Sequence, residues 1–261
     1  MLMWWMVAAL AGDGDGDSGG ELHLRPAIDG PLVVSAGAYA ISSLWLLPDR
    51  PVLAVDVTGE PLAFDRGPAG KPEGDGAVPL ASDAFSYGGT FVGLIAAPVY
   101  GALDVGPDGS RGGARGALTH GVIFAESVTL TVTLTDIIKT ASRRPRPYTR
   151  APGFEWEEAD DQMSFPSGHT STSGALSFSF THQIVRTQDL SVGGRVAAYG
   201  IATAYTATTG ALRVSAAKHY PSDVLIGGLL GATMGIVVPE LHRGGWGVHT
   251  NGRTVGLSRR W

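Results

Sequence analysis

The stretch that decides the fold is "ALTHGVIFAESVTLTVTLTDIIK", Ala117–Lys139. No proline interrupts it, and it runs into "TASRRPRP", where Pro145 and Pro147 cannot continue a helix. It therefore reads as one long helix that closes at Lys139. Five further stretches read the same way: roughly Leu32–Leu47, Ser86–Leu103, His169–Val185, Val196–Ala216 and Ser222–Val238. Between them lie loops dense in breakers, such as "DRGPAGKPEGDGAVP" (Asp65–Pro79) and "DVGPDGSRGGARG" (Asp104–Gly116). A short strand at Pro51–Gly59 is the one β expectation, and there is no fixed-period repeat. The fold class predicted is all-α, a helix bundle of about six core helices joined by Gly/Pro-rich loops.

Two uncharged windows, Gly30–Pro48 and Ala84–Leu103, approach the ~20 residues that span a bilayer. Other helices carry charge: Ala117–Lys139 contains His120, Glu126 and Asp136, and a charge at mid-membrane is costly unless paired. The mean hydropathy of +0.11 is low for a six-span protein. The expectation is a helical domain of the cell envelope, partly transmembrane or membrane-associated.

The chain has 261 residues, a net charge of −5 and no cysteine. The negative balance and the lack of a basic stripe argue against nucleic acid as a partner. Without cysteine there is no disulfide framework, thiolate metal site or thiol nucleophile. Only 16% of residues are charged, against about 25% in a typical soluble domain. Three regions are expected. Residues 1–28 comprise an apolar segment, "MLMWWMVAALAG", read either as the end of an export signal or anchor or as a frayed hydrophobic terminus, and a flexible acidic linker. Residues 29–239 form the helical domain. Residues 240–261 are a Gly/Arg-rich tail with turn signals and no assigned role.

Three blocks carry chemistry. In "KTASRRPRP", Lys139 ends a helix and Arg146 sits on the loop beyond it, close enough for both to meet one anion. The plainer reading is a solvated basic helix end, and Arg143 and Arg144 stay with it. In "PSGHT", Ser167, Gly168 and His169 open the next helix, where free backbone N–H groups point outward and cradle anions. Gly168 permits close backbone approach, Ser167 caps the helix or donates to a phosphate oxygen, and His169 stands at the rim. In "LRVSAAKHYPSD", Arg213 precedes His219, and Asp223 follows it by one helical turn. That spacing lets the carboxylate hold one ring nitrogen and raise the basicity of the other, as in a nucleophile or a metal ligand. The plainer reading is an acidic first turn of a helix next to a histidine in a linker.

Taken together, Lys-x6-Arg-Pro, Pro-Ser-Gly-His and Arg-x5-His-x3-Asp resemble the signature of the type 2 phosphatidic acid phosphatase / vanadium haloperoxidase superfamily. The motif core is 139–223. One departure is Leu212 before Arg213, where the family often has serine. The resemblance implies that Lys139, Arg146, Arg213, Ser167 and Gly168 bind the phosphoryl oxygens. It implies that His219 attacks phosphorus with Asp223 orienting its ring, and that His169 acts as general acid. It implies no metal ligands and no cofactor, since three cations and a helix N-terminus offset the transferring charge.

The expected enzyme is a phosphatase hydrolysing a lipid phosphate or diphosphate, with its active site outside the cytoplasm. The alternatives are a soluble non-specific acid phosphatase, a vanadate-dependent haloperoxidase using vanadate as cofactor, or a non-catalytic helical membrane protein. In the phosphatases vanadate acts only as a transition-state mimic. The acidic loop "GFEWEEADDQM", with Glu155, Glu157, Glu158, Asp160 and Asp161, reads either as solvated or as a filter favouring cationic head groups.

Overall fold

The computed structural model describes residues 22–46, 60–74, 77–104, 112–243, 246–250 and 255–259. The N-terminal apolar segment, the acidic linker and the strand expected at Pro51–Gly59 lie outside them. Six long helices carry the fold: α1 (Pro26–Leu46), α3 (Gly89–Leu103), α4 (Gly113–Ser142), α5 (Gly168–Thr187), α6 (Val192–Ser215) and α7 (Pro221–Leu241). A short helix, α2 (Ala77–Asp83), leads through a π turn, Ala84–Gly88, into α3. The all-α expectation holds: α5 and α7 extend the stretch read from sequence by three residues or fewer at each end, α4 and α6 by up to four, α1 starts six residues earlier and α3 three later.

The tail differs from a plain loop. Strands β1 (Trp246–Thr250) and β2 (Val255–Arg259) pair antiparallel as a small hairpin.

Helix α5 runs through the middle of the bundle against α3, α4, α6 and α7. Its closest partner is α7, and small residues make that approach possible. A Cβ added to Gly231 would lie 2.0 Å from the Ser171 carbonyl oxygen, and one on Gly227 would lie 2.6 Å from that of Ser167. Contact this tight sets the N-terminal turns of α5 and α7 side by side. Hydroxyls on α5 bond outward to its neighbours: Thr135 with Ser171 at 2.9 Å, Thr209 to Ser173 at 3.0 Å, and Ser179 to Ser127 at 3.0 Å. Such pairs satisfy polar groups where helices pack without water. Apolar packing is concentrated around Phe124, Val128, Ala97, Ala175 and Leu176.

Among the described residues, two helical stretches are long and apolar enough to cross a membrane by length and composition, 113–150 and 221–241. They are not the windows read from sequence. Helix α3 is only 15 residues long after the π turn, and residues 47–48 lie outside the described segment. Apolar side chains on α3, among them Phe91, Val92, Ile95 and Leu103, face outward and are exposed, as are Leu225, Ile226 and Leu229 on α7.

Candidate active site

Helix α4 ends where Arg143 takes a left-handed conformation (φ 43°), and Arg146 follows in extended backbone before the 3₁₀ turn Pro147–Arg150. This places Lys139 in the last turn of α4 and Arg146 on the loop, as the prolines require. Lys139 Nζ donates to the Met163 carbonyl at 2.7 Å. It also lies next to Gly168, where an added Cβ would be 3.9 Å from Nζ. Ser167 caps α5: its Oγ accepts the Thr170 amide at 3.5 Å and bonds the Thr170 hydroxyl at 3.0 Å. The first amides of α5 thus open towards the lysine.

His219 is buried between α6 and α7. Its Nδ1 lies 2.8 Å from the Ser164 carbonyl, which can only accept, so Nδ1 carries the proton in the neutral ring. Nε2 is then a lone pair, 3.4 Å from Arg146 Nη1. Burial first, then the charges of Arg146, Lys139 and Arg213, pull His219 well below the ordinary histidine value. His169, at the start of α5, is brought down to about 2, by burial and then by Arg213, Lys139 and Arg146. The five groups therefore share one electrostatic environment.

The sequence reading gave the His219 ring to Asp223, and the structure corrects this. Asp223 Oδ2 stands 3.7 Å from Nδ1, beyond hydrogen-bond reach. The Ser164 carbonyl holds the ring directly. Asp223 accepts instead from Ser164 Oγ (2.5 Å), the Tyr220 amide (2.9 Å) and Arg144 Nη1 (2.5 Å). It caps α7, whose first residue is Pro221, and acts on His219 through Ser164 and through space.

Arg144, left among solvated cations by the sequence, belongs to this network. Its guanidinium also reaches Asp65 at 2.8 Å and Ser222 at 2.7 Å and lies over the Tyr220 ring at 4.2 Å. Asp65, fully buried, pins its loop to the start of α7 through the Ser222 amide and hydroxyl. Arg144 directly follows the Arg143 helix end, but no motif announces Asp65.

Arg213, buried on α6, donates to Ser82 Oγ at 3.0 Å and lies 3.1 Å from Asp83 Oδ1. Ser82 thus gives Arg213 a hydroxyl partner from α2, where Leu212 offers none. Asp83 also lies 2.8 Å from His169 Nε2, and the Tyr87 ring meets His169 edge-on at 5.0 Å. The acidic loop divides. Asp160 grips Arg146 Nη2 with both oxygens, at 2.7 and 2.6 Å. Asp161 accepts the Tyr148 hydroxyl at 2.7 Å, and Glu155, Glu157 and Glu158 are exposed. Burial opposes the charge on Asp160, but Arg146 and Lys139 outweigh it and lower its pKa. Asp83 and Asp160 escaped the sequence reading as site groups because each lies outside the three motifs.

An all-helical domain that gathers three cations, a helix N-terminus and two histidines, one with its lone pair fixed, is built for phosphoryl transfer. The class it defines is that of the phosphatases. Residues 120–245 match the family model of the PAP2 superfamily. No curated protein matches the chain. Among solved structures it is similar to the transmembrane PAP2-type phosphatidylglycerolphosphate phosphatase from Bacillus subtilis. That likeness has 16% identity, covers 92% of this chain and 94% of that one, and has a TM-score of 0.43. It is also similar to LpxE from Aquifex aeolicus, at 21% identity over 62% of this chain and 87% of that one, with a TM-score of 0.38.

Proposed function

We propose that the protein is a metal-independent phosphomonoesterase that hydrolyses a lipid phosphate or diphosphate through a phosphohistidine on His219. The observation that carries this reading is the fixed tautomer of His219: Nδ1 is bound to the Ser164 carbonyl, and Nε2 faces Arg146. In the mechanism, Nε2 attacks phosphorus while the ester P–O bond breaks. Lys139, Arg146, Arg213, Ser167 and the Gly168 amide hold the equatorial oxygens. His169 donates a proton to the leaving oxygen. A water then attacks the phosphohistidine, His169 takes its proton, and phosphate leaves. The anionic substrate offsets the cations that depress His169 in the free site, so His169 takes up its proton with the substrate.

The lipid assignment rests on the apolar surroundings. Leu80, Phe85 and Tyr87 are exposed on the segment that also carries Ser82 and Asp83 beside Arg213. The outward apolar faces of α3 and α7 suit a protein embedded in a membrane. An active site on the outer side of that membrane is part of the same reading, and its support is the motif resemblance.

The test is phosphate release from phosphatidic acid and from a soluble aryl phosphate in the presence of EDTA. The reading expects release that vanishes in His219→Ala, is blocked by vanadate, and favours the lipid. Preference for the aryl ester would make it a general acid phosphatase. Halide oxidation with vanadate and peroxide, without phosphate release, would refute a phosphatase.

A further inference from the structure

We propose that Asp29, Glu126 and His242 form a site for one divalent metal ion of the zinc or manganese kind, which clamps α1 and the end of α7 onto α4. The site is separate from the phosphoryl-transfer centre: Glu126 and Lys139 are thirteen residues apart on α4, about 20 Å at the helical rise.

All three residues are buried, with relative exposures of 1%, 4% and 2%. One ligand atom from each lies within 4.8 Å of the other two. His242 Nε2 stands 3.1 Å from Glu126 Oε2 and 3.3 Å from Asp29 Oδ2. Yet His242 Nε2, Glu126 Oε2 and Asp29 Oδ1 are buried with no partner in hydrogen-bond geometry, and meet only as ion pairs. Two buried carboxylates held this close need a positive charge between them, on the ring or on an ion.

The histidine is set as a metal ligand is set. Its Nδ1 faces the Val238 carbonyl at 2.8 Å, and because a carbonyl only accepts, Nδ1 carries a proton. In the neutral ring, Nε2 then turns a lone pair towards two carboxylates, an arrangement stable only with a positive charge between them. Metal-binding histidines are characteristically oriented by such a backbone carbonyl. Ligands at about 2.0–2.2 Å in tetrahedral array stand about 3.3–3.6 Å apart, so the two separations here, 3.1 and 3.3 Å, need open by only a few tenths of an ångström. One imidazole and two carboxylates suit zinc, manganese or iron, with water completing the shell.

The neighbouring cation does not replace the ion. Arg25 Nε lies 3.9 Å from Asp29 Oδ1, beyond hydrogen-bond reach, while the Arg25 amide donates to Asp29 Oδ2. The competing occupant is a proton on Nε2. Burial disfavours that proton, but Asp29 and Glu126 outweigh it and hold the imidazolium up to about 9. Around the site the chain is already clasped: the His23 amide donates to the His242 carbonyl at 2.7 Å, and Leu22 bridges to Arg243. An ion would lock this clasp.

The experiment sets the ion against the proton. Purified protein is stripped with chelator, equilibrated with zinc, desalted, and its metal content and thermal midpoint measured. The wild type and His219→Ala are expected to retain about one zinc per chain, with the midpoint raised by several degrees. Glu126→Gln and Asp29→Asn are expected to retain less than a tenth as much and to show no shift. No retained zinc in the wild type overturns the proposal. So does equal retention in both carboxamide variants, which marks an adventitious ion only. If neither variant folds, cobalt-loaded wild type decides: visible bands of a low-coordinate nitrogen/oxygen site are expected, and the spectrum of aqueous cobalt overturns the proposal.

Discussion

Arg146 and Asp160 meet as a two-pronged ion pair, both carboxylate oxygens lying within 2.7 Å of Arg146 Nη2. The guanidinium proposed to bind phosphate is therefore already engaged by a carboxylate from the acidic loop. A phosphoryl group entering the site has to share that fork or displace Asp160. The pair is partly open to solvent, which weakens it. Asp160→Asn is expected to lower KM and the inhibition constant for inorganic phosphate about 3- to 10-fold with kcat little changed, the loss of one charge-assisted contact to a competitor. Steady-state kinetics with phosphate as inhibitor checks this. Weaker phosphate inhibition would mean that Asp160 positions Arg146 instead of competing for it.

His169→Ala should cost about 10²–10⁴ in kcat, with the larger loss on an alkyl phosphate whose leaving oxygen needs a proton and the smaller on an aryl phosphate. Equal losses on both would remove His169 from leaving-group protonation.

The pH profile follows from the two depressed histidines. In the proposed mechanism His219 attacks as the neutral ring, and its pKa is lowered well below 6.5. Activity is present above that pKa and lost only as pH falls through it, so the acid limb of kcat/KM should sit well below 6.5. The proton for His169 arrives with the substrate, whose second ionisation is near about 6, so kcat/KM should decline above that pH. The result is an acid optimum. Stability has its own sign. Unfolded histidines take protons near 6.5 that folded His219 and His169 refuse, so stability falls as pH drops below 6.5. Bound phosphate should reduce that fall. Thermal midpoints from pH 7.5 to 5, with and without phosphate, check both statements.

Gly231→Ala should lower stability by about 1–3 kcal/mol, because its methyl would press on the Ser171 backbone, which has nowhere to move. Gly200→Ala on α6 meets nothing within 4 Å and should raise stability by about 0.5–1 kcal/mol. The pair of thermal midpoints, one down and one up, tests the packing that aligns α5 with α7.

Arg144→Ala should cut kcat more than KM, since Arg144 touches Asp223 and Asp65 and no predicted phosphate ligand. Arg144→Lys should recover only part of the activity, because one ammonium cannot span both carboxylates. A change confined to KM would mean that Arg144 binds substrate.

The helices were legible because their apolar runs are long and bounded by Pro145, Pro147 and Pro221, whose missing N–H groups dictate where helices stop and start. The gathering of Lys139, Arg146, Ser167 and His169 was legible because they lie near helix ends, where local chain geometry fixes their direction. What sequence could not give depends on pairings across the bundle. Asp65 meets Arg144 across 79 positions, Arg213 meets Ser82 across 131, and no spacing rule relates such residues. The i, i+4 spacing of His219 and Asp223 suggested a direct bond, but Pro221 starts a new helix between them, and the carboxylate turns to the Tyr220 amide.

The most direct test is to trap the intermediate. Wild-type protein mixed with ³²P-labelled substrate and quenched in alkali within milliseconds should carry label that is stable to base, lost in acid, and mapped to His219. His169→Ala, slowed in releasing phosphate, should retain more of it, and His219→Ala none. Label on another residue, or full turnover in His219→Ala, would contradict the account.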